Sequence, residues 1–481
     1  MILKPIIIVH RYVGVVLGVI MTIWCLSGFV MMYQPYPFTT PEEHQAGLSP
    51  LNLSQATAEL PLAADSIAMS YRVEMLNGAP VLRLIGSDGP QTWDLSTGAE
   101  LAPLSEAAVK QAAETFAANS GIKGEITELG TLTVDQWSVQ GARRWQPLYR
   151  AVFNDPAQTW LYVNGKTGEI VQDVNAHERF WNWLGAIPHW LYPTILRDNG
   201  PLWNQVVIWS STIGCFLVIT GMVIGFNRLR GKSGQWWPYR NRPMWMWHHV
   251  FGTFAGVLVL TWTFSGLMTM SPWGLLESEG AVSRKDISGA MTWADMQTAI
   301  STVKADETAN LVSIRSAPLL GQPRVFAQQS NGAEIRFGLH ARAPFNRAEL
   351  DSSLAAKGGL LAAGQVDIMT AEDDYYYGHK RGVELPVYRI TLSDPEQTRI
   401  YVGEKSGEVR QLADGTTQRY RWALNAMHNL DLAFMRARPV WDIVTMLLLA
   451  VVTIACATGA WMSFTRIGTD VSRLREMLKR K

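Results

Sequence analysis

The stretch that decides the fold is residues 10–28, HRYVGVVLGVIMTIWCLSG, because a second copy follows at residues 248–266, HHVFGTFAGVLVLTWTFSG. Beyond its first two residues, each copy is apolar and carries no charged side chain. A helix that crosses a bilayer needs about 20 residues of this kind. Because histidine, glycine, tryptophan and Ser-Gly recur in the same places, the copies are predicted to be equivalent transmembrane helices.

Four apolar runs are long enough to span a membrane, at residues 13–33, 206–226, 250–270 and 443–464. The basic residues that flank them lie at the N-terminus, between the second and third runs, and at the C-terminus: Lys4, Arg11, Arg228, Arg230, Lys232, Arg240, Arg242, Arg466, Arg473, Arg475, Lys479, Arg480 and Lys481. Loops rich in Lys and Arg stay in the cytoplasm. Both termini and the middle loop are therefore predicted to be cytoplasmic, with the two long loops outside.

Composition agrees with a membrane protein. Of 481 residues, 48% are hydrophobic and only 17% are charged, and the 20 tryptophans suit membrane–water interfaces. The net charge of +1 gives no sign of a nucleic-acid partner. All three cysteines, Cys25, Cys215 and Cys456, lie in apolar runs without a CxxC pair. A disulfide framework, a zinc site and an iron–sulfur cluster are therefore not expected.

The similarity between the two halves extends along the whole chain. A shift of 238 positions superposes Gly14 on Gly252, Trp24 on Trp262 and Arg228 on Arg466. A shift of 239 superposes Tyr162 on Tyr401 and brings further pairs of the outer loops together. The chain is predicted to be two copies of span–outer domain–span, related by a pseudo-two-fold axis along the membrane normal. A ligand on that axis would be held by one residue from each half.

Each long loop has the pattern of a small α+β domain. In the first loop, residues 147–153, 158–163 and 169–171 read as strands separated by turns, and residues 105–118 read as a helix with Ser105 as its N-cap. The predicted fold is a membrane α-helical bundle of four transmembrane helices in two pseudo-symmetric repeats, with two outer α+β domains. The predicted boundaries are transmembrane helices at 1–35, 203–230, 248–272 and 441–466, outer domains at 36–202 and 273–440, a cytoplasmic loop at 231–247 and a cytoplasmic tail at 467–481.

Four of the nine histidines obey the repeat: His10 matches His248, and His189 matches His428. Haem iron takes axial ligands on opposite faces of a flat ring, so one histidine pair near each membrane face predicts two haem sites. The alternative is that these histidines bond to water or lipid headgroups at the interface. The neighbouring His249 matches Arg11 in the first half and is the weaker ligand candidate.

Two further groups of residues are candidates for chemistry. Trp24 and Trp262 match in the repeat and either pack on haem and assist electron hopping or are ordinary core residues. The segment 372–379, EDDYYYGH, offers hard oxygen ligands for ferric iron. Within it, Asp374, Tyr376 and His379 are candidates for contact with a substrate or iron outside the membrane, and a solvated strand is the alternative.

The chain resembles the PepSY-associated transmembrane family. The resemblance rests on the His10 to Gly14 motif, on Ser27-Gly28, on the run from Tyr162 to His189, and on the copies of all three in the second half. It implies a bacterial inner-membrane protein with two periplasmic PepSY-type domains on a four-span bundle. The family includes di-haem reductases that release iron from ferric siderophores, and their haem ligands would correspond to His10, His248, His189 and His428.

The expected function is that of a membrane-bound b-type haem ferric reductase that acts on periplasmic ferric iron or a ferric siderophore. Two haem b groups are expected, together with a separate electron donor, either reduced flavin, a quinol or a reductase protein, because the cytoplasmic side shows no GxGxxG motif after a strand. The alternatives are an iron or siderophore permease and a haem-free PepSY sensor or peptide-binding protein. The absence of charges and of proline breaks within the spans argues against the permease.

Overall fold

The computed structural model describes residues 3–86, 89–230, 234, 236, 239–379 and 382–479. Lys232, Arg480 and Lys481, which contribute to the predicted orientation, lie outside these residues. The chain divides into two compact units, and each is described separately. The first comprises residues 1–36, 180–277 and 418–481, and the second comprises residues 37–179 and 278–417.

The described residues form fifteen α-helices. They are α1 (Leu3–Met31), α2 (Pro41–Ala46), α3 (Glu106–Ser120), α4 (Ala176–Leu184), α5 (Ala186–His189), α6 (Thr194–Arg197), α7 (Gly200–Asn227), α8 (Pro243–Phe254), α9 (Gly256–Met268), α10 (Arg284–Ser288), α11 (Trp293–Ala305), α12 (Arg347–Lys357), α13 (Gly359–Ala362), α14 (Gly415–Tyr420) and α15 (Val440–Lys479). Short 3₁₀ turns occur at Leu53–Gln55 and Pro272–Gly274, and a π-helical turn occurs at Arg421–Ala426.

The strands number sixteen in the same residues. They are β1 (Ile67–Ala68), β2 (Ser70–Leu76), β3 (Ala79–Gly86), β4 (Gly89–Asp94), β5 (Ile126–Leu132), β6 (Leu148–Phe153), β7 (Trp160–Asn164), β8 (Ile170–Val174), β9 (Met291–Thr292), β10 (Leu311–Ser316), β11 (Val325–Gln329), β12 (Glu334–Phe337), β13 (Gln365–Met369), β14 (Val387–Thr391), β15 (Arg399–Gly403) and β16 (Val409–Ala413).

The first unit is built from long apolar helices. In the described residues, α1, α7 and α15 are each long and apolar enough to cross a membrane, and α8 with α9 makes a fourth such span if the bent pair is counted as one. α1 packs against α7 and α15, and α8 packs against the same two helices. Large apolar side chains on the outside, among them Val16, Phe216, Phe264 and Leu447, remain exposed, as lipid-facing residues do.

Two details of these helices differ from the sequence-based boundaries. The third span begins at Pro243 and bends by 63° between α8 and α9, around Ala255. The spans have no proline break, yet this one is broken without a proline, so the argument from unbroken spans against a permease is weaker. α15 continues to Lys479 without a break, and an ion pair between Arg466 and Asp470 at helical i,i+4 spacing joins its last apolar turns to the predicted tail.

The second unit contains three larger antiparallel sheets. Strands β5 to β8 form one four-stranded sheet, whose apolar face packs on α3, and β13 to β16 form another. A six-stranded sheet has the order β12-β11-β10-β2-β3-β4 and so combines strands from both long loops. The joining pair is β2 with β10, where Arg72 lies opposite Arg315. The two loops therefore form one compact unit, because pairing β2 with β10 satisfies strand edges that separate domains would leave open.

Candidate functional site

Two histidines that lie far apart in the sequence meet in the first unit. His10 on α1 and His248 on α8 have ring centres 6.3 Å apart, with the ring planes inclined at 39°. A bond from a transition metal to an imidazole nitrogen is about 2.0–2.1 Å long, so two imidazoles on opposite sides of one metal have centres roughly 6 Å apart. The spacing of His10 and His248 therefore fits one metal atom between them.

The hydrogen bonds of these rings determine which nitrogen can bind a metal. Nδ1 of His10 lies 3.0 Å from the carbonyl oxygen of Leu217, and Nδ1 of His248 lies 3.0 Å from that of Ala455. A carbonyl oxygen only accepts, so Nδ1 carries the proton and donates it in both rings. The lone pair is then on Nε2, the usual arrangement of a metal-binding histidine fixed by a backbone carbonyl.

The second histidine pair repeats this geometry. The rings of His189, at the end of α5, and His428, after the π-helical turn, have centres 6.1 Å apart at an interplanar angle of 74°. Nδ1 of His189 lies 3.1 Å from the Ser27 hydroxyl and 3.1 Å from the Trp24 carbonyl oxygen. Nδ1 of His428 has the equivalent partners, the Ser265 hydroxyl at 3.0 Å and the Trp262 carbonyl oxygen at 3.3 Å. In this pair too, Nε2 is left with the lone pair that a metal would need.

Glycines allow the first pair to sit close to the neighbouring helices. A Cβ atom on Gly221 of α7 would lie 2.7 Å from Cε1 of His10, and one on Gly459 of α15 would lie 2.8 Å from Cε1 of His248. Both contacts are far shorter than the 3.5–4.0 Å that is typical of carbon atoms in contact. Only glycine therefore leaves each imidazole in its present position.

A cavity of about 500 Å³ surrounds the first pair, a volume typical of small-molecule and cofactor sites. Its walls are mostly apolar and include seven glycines. Three arginines, Arg11, Arg228 and Arg466, also line it. A flat, mostly apolar molecule that carries negative charge and binds a metal would suit such a cavity, and haem has these properties.

The neighbouring His249 is arranged differently. It is Nε2 of this ring that lies 3.0 Å from a backbone oxygen, that of Gly225, and the ring stands edge-on to Tyr239 at 5.3 Å. The pairing with His10 is made by His248, so the geometry favours His248 over His249 as the ligand.

The carbonyl oxygens of Trp24 and Trp262 accept hydrogen bonds from Nδ1 of the second histidine pair. The side chains of both tryptophans pack against the apolar core of the first unit. Their indole Nε1 atoms are buried without a hydrogen-bond partner among the described residues. Core packing is thus the role that their contacts support.

The candidates on the outer segment 372–379 are not gathered into one site. The Tyr376 side chain is only 4% exposed, its hydroxyl donates to the Glu384 carbonyl oxygen at 2.9 Å, and its ring stacks on Tyr401. It is a core residue rather than an open ligand. Asp374 is exposed and His379 is partly buried. The neighbouring Asp373 accepts hydrogen bonds from the Tyr401 hydroxyl and from two backbone N–H groups.

A cluster that the sequence did not suggest lies in the second unit, where ligand atoms of His44, Glu74 and Glu169 lie within 4.8 Å of one another. Arg72 and Arg83 form ion pairs with both glutamates. Burial alone would raise the pKa of Glu169, but Arg83 and Arg72 outweigh it and lower the pKa to about 2. Two guanidinium groups thus already balance the two carboxylates, so the cluster is an ion-pair network.

Apolar helices of this length and composition define a membrane protein, here one that carries two facing histidine pairs. The chain belongs to the PepSY-associated TM region family, whose model matches residues 7–466, nearly the whole sequence. No curated protein matches the chain.

Proposed function

We propose that this protein is a di-haem ferric reductase of the bacterial inner membrane, which passes electrons from a cytoplasmic or membrane donor to periplasmic ferric iron or a ferric siderophore. The observation that carries the proposal is the pair of ring-centre distances, 6.3 Å for His10 with His248 and 6.1 Å for His189 with His428. Partly buried imidazoles that face each other at this spacing, each with Nδ1 on an acceptor, are suited to holding one iron atom between them.

Haem bound at the two sites would supply one-electron iron couples. Residues of the chain hold the histidine rings in orientation. The carbonyl oxygens of Leu217 and Ala455 fix one pair, and the hydroxyls of Ser27 and Ser265 help to fix the other. The mostly apolar lining around the first pair would lower the local dielectric, which favours the less charged state of a metal.

The contacts also support the proposed two-fold repeat. The partners of His10 and His248, and those of His189 and His428, are related by the same shift of 238 positions that superposes the sequences. By the distribution of basic residues, both termini would lie in the cytoplasm and the two long loops in the periplasm, where they would meet the ferric acceptor. The electron donor is then a separate molecule, such as reduced flavin, a quinol or a reductase protein.

The absorption spectrum of the purified protein tests the haem sites. We expect a Soret band and an α-band that dithionite sharpens, and a loss of about half of the haem in His10→Ala, His248→Ala, His189→Ala or His428→Ala. The exposed His340→Ala is the matched control and should keep the wild-type spectrum. His249→Ala should keep both haems, because His249 hydrogen bonds to Gly225 instead of facing His10. A colourless wild-type protein from haem-sufficient cells would refute the proposal.

The acceptor is tested separately, by anaerobic reduction assays in which the pre-reduced protein is mixed with ferric citrate or with several siderophore complexes. We expect rapid reoxidation of the α-band by at least one of these acceptors. Normal haem with no reoxidation by any of them would leave a haem protein that is not a ferric reductase.

The 63° bend between α8 and α9 favours the alternative function, a permease, because transport sites often lie at broken helices. Uptake of a radiolabelled ferric chelate into proteoliposomes, without a reductant, would support transport. Reduction of the chelate without uptake would exclude it.

A further inference from the structure

The cavity around His10 and His248 has one charged end. Arg228 lies seven residues after Gly221, which contacts His10, and Arg466 lies seven residues after Gly459, which contacts His248. Seven residues are two helical turns, or roughly 10 Å along the axis. Both arginines therefore line the same cavity two turns beyond the imidazoles, and the shift of 238 positions relates them to each other.

Symmetry restricts how haem can lie between these histidines; this argument rests on the proposed function. A two-fold axis that exchanges His10 with His248 would pass through a metal held between them and would lie in the plane of a haem that they hold. Haem carries its two carboxylates on one edge, and its own approximate in-plane axis exchanges them. When the axis of haem lies along the axis of the repeat, its two carboxylates would point together toward one end, and each would meet one member of a repeat-related residue pair.

Only one end of the cavity can accept these charges. Farther from Arg228 and Arg466, the cavity is lined by uncharged repeat-related pairs such as Met21 with Val259 and Val218 with Cys456. An ionised carboxylate buried among such side chains without a partner is strongly disfavoured. We propose that Arg228 and Arg466 bind the two carboxylates of the haem held by His10 and His248, and so orient it with its carboxylate edge toward the arginine end.

The two arginines differ in how much charge they can offer. Arg466 forms a two-point ion pair with Asp470, in which Nε lies 3.0 Å from Oδ2 and Nη2 lies 2.9 Å from Oδ1. Arg228 donates to the Tyr239 hydroxyl at 3.4 Å and forms no ion pair with any residue in the described part of the chain. Arg228 thus keeps its positive charge for a ligand, whereas Asp470 offsets most of that of Arg466.

Potentiometric titration of the full-length protein in detergent, followed through the haem α-band, tests this assignment. A nearby positive charge favours ferrous over ferric iron, so Arg228→Gln should lower the midpoint potential of one haem, and by more than Arg466→Gln does. Asp470→Asn should raise it, and Arg228→Lys should stay close to wild type. A tenfold change in the preference for the ferrous state corresponds to about 59 mV for one electron.

The matched control is Arg473→Gln, which removes an exposed arginine from the same helix, outside the cavity lining, and should leave both potentials unchanged. If Arg228→Gln and Arg466→Gln keep wild-type haem and shift neither potential more than the control does, the carboxylate assignment is wrong while the haem sites stand. If Arg228→Gln fails to fold, Asp470→Asn decides, because an unchanged or lowered potential in that variant contradicts the proposal. A wild-type protein without haem would refute the assignment and the proposed function together.

Discussion

Replacing Gly221 by alanine should disturb the site through a single added carbon atom. The new Cβ would lie 2.7 Å from Cε1 of His10, whereas carbon atoms in contact are normally about 3.5–4.0 Å apart, so the ring or α7 must move by roughly 0.8 Å. His10 cannot move so far and also keep both its 3.0 Å hydrogen bond to Leu217 and its distance to His248. Changes next to a metal ligand typically cost about 10- to 100-fold in affinity, and we expect a loss of this size.

The assay is haem occupancy at that site, together with the rate at which haem passes to an excess of a haem-accepting apoprotein. Gly459→Ala should behave alike, because its Cβ would lie 2.8 Å from Cε1 of His248. Gly468→Ala is the matched control on α15, since an added Cβ meets nothing within 4 Å there. Wild-type occupancy and transfer rates in both Gly221→Ala and Gly459→Ala would show that the imidazoles do not hold haem in the positions described.

Three further predictions concern other parts of the protein. Ser27→Ala or Ser265→Ala removes one of two Nδ1 partners but leaves a carbonyl oxygen, so haem at that site should bind up to about tenfold more weakly in the transfer assay. Tyr376→Phe should cost about 1 kcal/mol of unfolding free energy through the lost hydroxyl bond and leave ferric reduction unchanged; impaired reduction in a fully folded variant would contradict its role as a core residue. Arg83 and Arg72 lower the pKa of Glu169 from 4.5 to about 2, against the effect of burial. The ionised Glu169 should therefore contribute stability that is complete above pH 4.5 and is lost as the pH falls toward 2. The loss of unfolding free energy is at most about 3 kcal/mol, and solvent screening makes it smaller because a quarter of the side chain is exposed. Unfolding of the full protein followed by circular dichroism should show this loss, and Glu169→Gln should flatten the dependence of stability on pH.

Much of the fold could be predicted because it is encoded in local patterns and in the duplication. The apolar runs located the long helices, and the Ser105 cap and the strand patterns of the first loop agree with α3, β6 and β7. The repeat predicted which histidines face each other, and the ring distances agree with that pairing, whereas their role as haem ligands stays a prediction.

What the sequence did not predict depends on contacts between distant segments. The carbonyl partner of His10 is 207 residues away, and backbone carbonyls leave no residue-type signal. The pairing of β2 with β10 joins strands from the two long loops, which are separated in the sequence by helices of the first unit. The alternation of residues within a strand does not reveal its partner strand. Tyr376 looked like an exposed ligand because acidic and tyrosine residues surround it, but alternate residues of an irregular segment can still point into a core.

The central claim is tested most directly by the number of haem groups per polypeptide and their ligation. The purified full-length protein should contain two b-type haems per chain by pyridine haemochrome analysis, and electron paramagnetic resonance of the oxidised protein should show two low-spin ferric signals typical of bis-histidine ligation. No haem, or a high-spin ferric signal that indicates only one histidine per iron, would contradict the account.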